Sequence, residues 1–298
     1  WDYMESYEAN IGGEVLAIPH NGNISSGFMF ALTDASSNNF SKDYAQQRSR
    51  WEPLFEVTQI KGDSETHPIL SPNDEFADYE TLSNNNLPSE EAINQRGVTH
   101  FVSWRNKFGD KLNDSWMRQY EYARSGLKLG MSQESSIGVN PFKFGLIGSS
   151  DAHTSLSAVK ENNFWGKTSQ AEPSAGRVFG PLVPGVGAWP GWKMNAAGYA
   201  AIWATENTRE SLFAAMKRKE VYASTGPRIN VRFFGGWEYL KDDAFKPDLA
   251  RIGYEKGVPM GGDLTAAPSD KSPNFLIRAV KDSEGANLDR VQVIKGWH

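Results

Sequence analysis

A chain of 298 residues with 39% hydrophobic and 12% aromatic residues has the composition of a folded globular protein. Its net charge of −5 comes from interspersed acids and bases without a Lys/Arg-rich run, which argues against nucleic acid as a partner. The chain has no cysteine, which excludes thiolate metal sites, and no run of about 18 apolar residues that would predict a membrane span.

The first predicted elements are two strands separated by a helix. Residues 13–19 form an apolar run between Gly and Pro, which predicts a buried strand that feeds a turn. Residues 34–51 are polar with scattered aromatic residues and favour a helix. Residues 54–60 predict a second strand, followed by a polar loop.

Two helices and a strand follow. Residues 116–130 have helical spacing, and residues 144–147 predict a short buried strand that ends in a tight Gly-Ser-Ser loop. The segment 205–219 has the strongest helical pattern, because Thr205 or Thr208 can cap it and its acids precede its bases. This order of elements predicts an α/β fold.

Beyond residue 227 the pattern becomes β-rich. Residues 229–234, 275–280 and 288–295 read as strands separated by turns. We therefore expect two regions, 1–227 and 228–298, of which the second is β-sandwich-like. Because the chain begins at a Trp and its last predicted strand lacks a closing turn, we interpret it as a fragment at both ends.

Three histidines lie in loops directly after predicted strands: His20, His67 and His153. In barrel and open α/β folds, ligands and catalytic groups converge where strands end, so these loops are expected to meet. Asp151 and His153 offer an oxygen and a nitrogen ligand from one turn, which suits Zn, Mn or Fe. The alternative is that Asp151 caps a helix and His153 packs.

The other polar candidates each have a plain alternative. His20 is either a ligand or a polar residue of its turn, and His67 is either functional or part of a solvated loop. Glu56 lies inside an apolar strand and needs a partner, which is a metal, Lys61 or an arginine. Lys61 and Arg228 are either contacts for an anionic substrate or solvated cations.

Four segments together resemble a large bacterial family catalogued only as a domain of unknown function: residues 17–23, 56–68, 138–153 and 221–229. That family in turn looks like a branch of the PHP (polymerase and histidinol phosphatase) metal-dependent hydrolases. The resemblance implies part of a distorted (β/α)7 barrel, with divalent metal ions at the strand ends. The chain lacks the His-x-His motif with which PHP enzymes begin, so it resembles only the C-terminal half, with an N-terminal segment missing.

The resemblance also implies roles for individual residues. Asp151 and His153 match the closing Asp-x-His metal motif, and His20 resembles the histidine of the preceding motif. The resemblance assigns no role to the other candidates. From their own positions in the sequence, we expect Glu56 and His67 as catalytic residues, and Asn21, Lys61 and Arg228 as substrate-binding residues.

The function expected from these residues and this resemblance is a metal-dependent hydrolase that attacks a phosphoester through a metal-bound hydroxide. Its substrate would be a small anionic molecule. The alternatives are hydrolysis of an amide or lactone at the same metal site, and a non-catalytic module that binds glycan or protein through the Trp-rich region 189–203 and the β-rich C-terminal end.

Overall fold

The fold was analysed in a computed structural model, which describes 1–81 apart from 26 and 35, 115–154, 174–176, 179, 194, and 197–298 apart from 266. His100 and residues 189–193, 195 and 196 of the Trp-rich region 189–203 lie outside the described residues. None of the helices within these ranges is long and apolar enough to cross a membrane.

Two of the α-helices in the described residues begin with a side-chain cap. The N-cap Ser41 side chain accepts a hydrogen bond from Tyr44 N at 3.1 Å, and Thr208 accepts one from Ser211 N at 3.3 Å. Gly138 ends its helix in the left-handed conformation, with φ 76°. The helices are α1 (Asp2–Ile11), α2 (Lys42–Trp51), α3 (Ala123–Ile137), α4 (Arg209–Lys217) and α5 (Leu249–Lys256).

Short 3₁₀ helices and strands complete the secondary structure. The 3₁₀ helices are Gly22–Ile24, Ser115–Tyr120 and Lys241–Phe245. The strands are β1 (Leu54–Gln59), β2 (Gly62–Asp63), β3 (Gly145–Gly148), β4 (Tyr199–Ile202), β5 (Val221–Ser224), β6 (Asn230–Gly236), β7 (Gly257–Pro259) and β8 (Asn274–Val280).

The first sheet has the order β2-β1-β3, with β1 antiparallel to β2 and parallel to β3. All six residues of β1 are buried, as expected for a strand covered on both faces. The register between β1 and β3 shifts between Glu56 and Thr58, which leaves Val57 as an extra residue in a bulge.

Strands β4 and β5 form an antiparallel pair that packs beside β3. A Cβ built on Gly145 would lie 2.9 Å from Val221 Cγ2, and one on Gly148 would lie 2.9 Å from Ser224 O. The first residues of β3 and β5 are thus neighbours, as are their last residues. The C-terminal ends of β1, β3 and β5 therefore lie at one edge.

The largest apolar core is built from aromatic side chains around β1. Phe30 packs edge-on against Phe55 and Phe142, with ring centroids 5.1 and 5.3 Å apart. Phe40 and Val57 complete this cluster. This cluster joins β1 to α3, so burial of its rings stabilises the position of β1 in the first sheet.

The C-terminal part contains an antiparallel sheet, β7-β6-β8, with helix α5 packed on it. Phe234, Leu249, Ile252 and Leu276 form its core. The sheet contacts the preceding part of the chain, because the Arg232 guanidinium lies 3.3 Å from the ring centroid of Trp203. The division into 1–227 and 228–298 stays a prediction.

The predicted barrel and sandwich are both wrong. The described residues form small sheets of two or three strands, and none of these sheets closes into a (β/α)7 barrel. The C-terminal part is a single three-stranded sheet with a helix, because the 249–256 segment has an apolar face that packs on the sheet.

Two predicted strands are absent from the sheets of the described chain. Residues 288–295 are exposed and pair with no strand, because an alternating pattern needs a partner to become a strand. Residues 13–19 form no strand, although Ala17 N donates to Trp51 O at the end of α2, and Glu56 N of β1 donates to Pro19 O. The strand predicted at 54–60 is confirmed as β1.

Candidate functional site

Polar side chains from three segments meet where β1 and β3 end. They are Asn21, Glu56, Gln59, Lys61, Ser149 and Asp151, which we call the strand-end cluster. Its members come from the loop after residue 19, from β1 and its hairpin, and from the loop after β3. The parallel pairing of β1 with β3 explains the convergence, because the carboxyl ends of parallel strands share one edge.

Glu56 is the buried centre of the strand-end cluster, with 6% of its surface exposed. Its Oε1 accepts a hydrogen bond from the Ser149 hydroxyl, and its Oε2 accepts one from Gln59 Nε2 at 3.0 Å. A buried carboxylate requires such donors. Glu56 thus finds hydroxyl and amide donors at this edge.

The loop that carries His20 is bound to the β1–β2 hairpin through its neighbours. Gln59 Nε2 also donates to Asn21 Oδ1 at 2.9 Å, so one amide group joins Asn21 to Glu56. Asn23 Nδ2 donates to Lys61 O at 3.0 Å. His20 itself is exposed, one residue before the strand-end cluster.

Asp151 follows β3 in the left-handed conformation, with φ 52°. Its backbone N–H donates to Ser149 Oγ at 3.3 Å, while Ser149 donates its own proton to Glu56. Lys61 Nζ lies 3.1 Å from Asp151 Oδ2. The structure therefore brings Lys61 and Asp151 together across the edge, although they are 90 positions apart in the chain.

His153 lies largely exposed in the turn that carries Asp151. Its Nδ1 lies 2.8 Å from Asp151 O, and its side chain is 58% exposed. A carbonyl oxygen only accepts hydrogen bonds, so this contact requires a proton on Nδ1, and in the neutral imidazole the lone pair is then on Nε2. A histidine held in this tautomer is suited to bind a metal ion through Nε2.

The predicted ligands do not form a ready metal site within the described residues. No group of three or more His, Asp or Glu side chains there is arranged to hold a metal ion. Asp151 and His153 nevertheless supply an oxygen and an imidazole nitrogen from one turn, which are the donor types that Zn, Mn and Fe accept.

His67 lies in a different environment from the strand-end cluster. Its ring packs against Tyr122, with centroids 5.5 Å apart, and its Nδ1 accepts a hydrogen bond from Ile69 N at 3.2 Å. Partial burial, and then the charge of Arg118, lower the pKa of His67 below its ordinary value. A neutral imidazole in this place fits a structural role.

Arg228 also lies apart from the strand-end cluster, in the loop that follows β5. Its guanidinium lies 5.9 Å from the ring centroid of Tyr199, the first residue of β4. Its backbone N–H donates to Asp282 Oδ2 at 2.7 Å. Arg228 therefore lines a neighbouring cleft between β4 and the segment after β8.

Sequence reasoning missed two members of the strand-end cluster, Gln59 and Ser149. Residues three apart on a regular strand point to opposite faces, so Gln59 is not expected beside Glu56. The bulge at Val57 changes this alternation and lets Gln59 Nε2 reach Glu56 Oε2. For Ser149 a signal existed, since two serines follow directly after the strand that leads to Asp151.

Comparison with known proteins gives one family. The model of the family described as "Protein of unknown function (DUF3604)" matches residues 1–298. No curated protein and no solved structure matches the chain. The match covers the chain from end to end under a description that does not name PHP hydrolases, which contradicts both the inferred PHP kinship and the resemblance to a C-terminal half alone. The chain belongs to the DUF3604 family of proteins of unknown function.

Proposed function

We propose that the chain is a metal-dependent hydrolase that acts on a phosphoester. The observation that carries this proposal is the strand-end cluster, in which a buried Glu56 and a lysine-paired Asp151 lie at the end of adjacent parallel strands. In open α/β sheets, ligands and catalytic groups gather where parallel strands end, which supports a catalytic site at this edge.

Asp151, His153 and His20 are the proposed metal ligands. Asp151 contributes a carboxylate oxygen, and His153 contributes Nε2, because its Nδ1 donates to the Asp151 carbonyl. His20 is exposed and follows Pro19, whose carbonyl is bound to Glu56 N at 3.0 Å. Its loop is thus anchored beside the cluster, which leaves the imidazole available to an ion.

The remaining groups of the strand-end cluster hold the metal ligands in position and contact the charge of the substrate. A divalent ion supplies a nucleophilic water at neutral pH by lowering the pKa of that water. Glu56 holds the Ser149 hydroxyl, which in turn accepts the Asp151 N–H and keeps the turn in place. Lys61 is the proposed contact for the negative charge of the substrate. His67 receives no role, because it packs against Tyr122.

The decisive experiment measures bound metal and turnover together. Purified protein is incubated with Zn, Mn or Fe salts, desalted and subjected to elemental analysis, and turnover is followed with bis(4-nitrophenyl) phosphate. Asp151→Asn and His153→Ala are expected to lose both bound metal and turnover. The matched controls are Asp270→Asn and His298→Ala, which change exposed residues of the C-terminal part and should leave both unchanged.

Two outcomes contradict the proposal. Unchanged metal content in Asp151→Asn contradicts its assignment as a ligand. If amide or lactone substrates are hydrolysed and phosphoesters are not, the assignment of the metal site stands, but the proposal that the protein cleaves a phosphoester bond is wrong. These substrates are therefore included in the same assay, with the same variants.

A further inference from the structure

A polar cleft with a volume of about 440 Å³ lies beside the strand-end cluster. Its lining includes Tyr199 on β4, Gly226 and Arg228 after β5, and Lys281 after β8. Its volume is in the range of small-molecule sites, whereas its lining is far more charged than the mostly apolar lining of such sites.

The cleft lies close to the end of β3, because its residue Tyr199 is next to the last residue of that strand. Gly198 N donates to Ser149 O at 2.8 Å, which places the start of β4 next to a member of the cluster. A Cβ built on Gly148 would lie 2.8 Å from Tyr199 O. The cleft therefore opens within a few residues of Asp151, on the edge where β1, β3 and β5 end.

Arg228 and Lys281 line the cleft, and within the described residues neither forms a salt bridge with a carboxylate. Arg228 faces the Tyr199 ring, and Lys281 Nζ lies 3.4 Å from Gly285 O. Neither side chain takes part in an ion pair with any residue that the structure describes. The lining also holds Asp282 and Glu284, so its formal charges balance, and the cleft offers an anion the N–H donors of Arg228 and Lys281 rather than a net positive charge.

The nearest carboxylate in the cleft serves the backbone. Asp282 Oδ2 accepts a hydrogen bond from Arg228 N at 2.7 Å, and Asp282 Oδ1 accepts one from Glu284 N at 3.0 Å. Both oxygens therefore accept backbone N–H groups, and the first of these bonds joins the backbone of residue 228 to the segment after β8. Glu284, the other acid of the lining, is exposed.

We infer that this cleft binds an anionic group of the substrate, a phosphate, a sulfate or a carboxylate, through Arg228 and Lys281. A guanidinium presents paired N–H donors that match the oxygens of such a group, and the ammonium adds a second charge. That this anion is part of the substrate rests on the proposed function. The substrate would then be a phosphoester with a second negatively charged group, which binds in the cleft. Binding of the anion itself does not depend on that function.

The test is calorimetric titration of the whole chain with inorganic phosphate, sulfate and acetate in the presence of EDTA. Arg228→Gln and Lys281→Gln remove one charge each at similar side-chain length, and Lys241→Gln is the matched control at an exposed lysine outside the cleft lining. We expect the dissociation constant of the best-bound anion to rise at least about tenfold in each cleft variant and to stay unchanged in the control. The ranking of the three anions identifies the chemical group.

Two results overturn the inference: equal weakening in Lys241→Gln, which indicates unspecific charge attraction, and unchanged binding in both cleft variants. Thermal unfolding of each variant is measured to check that the fold is retained. Because EDTA removes any metal, anion binding that depends on Arg228 and Lys281 supports the cleft even when no hydrolase activity is found. Loss of turnover in Asp151→Asn with retained anion binding separates the two proposals from each other.

Discussion

Lys61 Nζ and Asp151 Oδ2 lie 3.1 Å apart, and their side chains are only 13% and 10% exposed. Removal of one partner leaves the other charge poorly hydrated. We expect Lys61→Met to lower the free energy of unfolding by about 2 kcal/mol, and the double variant with Asp151→Asn to lose at least about 1 kcal/mol less than the sum of the single variants. Urea unfolding of the four proteins measures this coupling.

A solvent-exposed ion pair provides the comparison for that cycle. Lys217 Nζ lies 2.6 Å from Glu14 Oε1, with side chains 42% and 62% exposed. Its coupling energy is expected to stay below about 1 kcal/mol, because water and salt screen exposed charges. Equal coupling in the two cycles, or strict additivity at Lys61 and Asp151, would contradict the importance assigned to burial.

Asp63 makes stability depend on pH. Burial raises the pKa of its carboxyl from 3.8 to about 7, against the lowering effect of the Glu65 N–H that it accepts at 2.6 Å. The folded protein therefore holds this proton more tightly than the unfolded chain. Its stabilising contribution is complete below pH 3.8 and is lost as the pH rises through about 7.

Asp63→Asn should remove this dependence. Between pH 4 and pH 8 we expect the wild-type free energy of unfolding to fall by up to about 4 kcal/mol more than that of the variant. Asp78→Asn, at an exposed carboxylate, should retain the wild-type profile. Parallel profiles for the wild type and Asp63→Asn, measured by denaturant unfolding across the range, would show that Asp63 titrates near its ordinary pKa.

Thr58 carries a buried hydroxyl without a hydrogen-bond partner in the described part of the chain. Thr58→Val keeps the shape and removes the unpartnered group, so we expect a stability change between zero and a gain of about 1 kcal/mol. Thr66 is the contrast, because its Oγ1 lies 2.8 Å from Ser71 Oγ. Thr66→Val should lower the free energy of unfolding by about 1–2 kcal/mol. A thermal unfolding experiment in which Thr66→Val is more stable than Thr58→Val would contradict this prediction.

Gly148 has no room for a side chain. A Cβ there would lie 2.8 Å from Tyr199 O and 2.9 Å from Ser224 O, and backbone atoms do not move aside at little cost. We expect Gly148→Ala to destabilise the protein by about 1–3 kcal/mol and to weaken anion binding in the adjacent cleft. A Cβ at Gly176 meets nothing within 4 Å, so Gly176→Ala is the control that should change neither measurement.

Local signals in the sequence predicted several elements of the fold. Thr208 was expected as one of two caps, and its side chain does accept the Ser211 N–H. The runs at 54–60, 229–234 and 275–280 overlap β1, β6 and β8, and their ends agree to within two positions. Caps and apolar runs depend on neighbours in the chain, which is why they can be read without a structure.

The wrong predictions concern contacts between distant segments. The alternating run at 288–295 has the composition of a strand, yet pairing depends on an edge elsewhere that the run itself does not encode. The barrel was inferred from a resemblance, whereas the sheets of the described residues contain two or three strands each. At the site, the loops of Asn21 and Asp151 were expected at strand ends, while the contribution of Gln59 depends on the bulge.

Asn21 and Asp151 both adopt left-handed backbone conformations, with φ 62° and 52°. Glycine would occupy either position with less backbone strain, by about 1 kcal/mol. These two turns therefore carry side chains where turn geometry alone favours none, and both side chains are in use, one with Gln59 and the other with Lys61. The backbone strain at Asn21 and Asp151 is therefore the energetic cost of placing an amide and a carboxylate at this edge of the sheet.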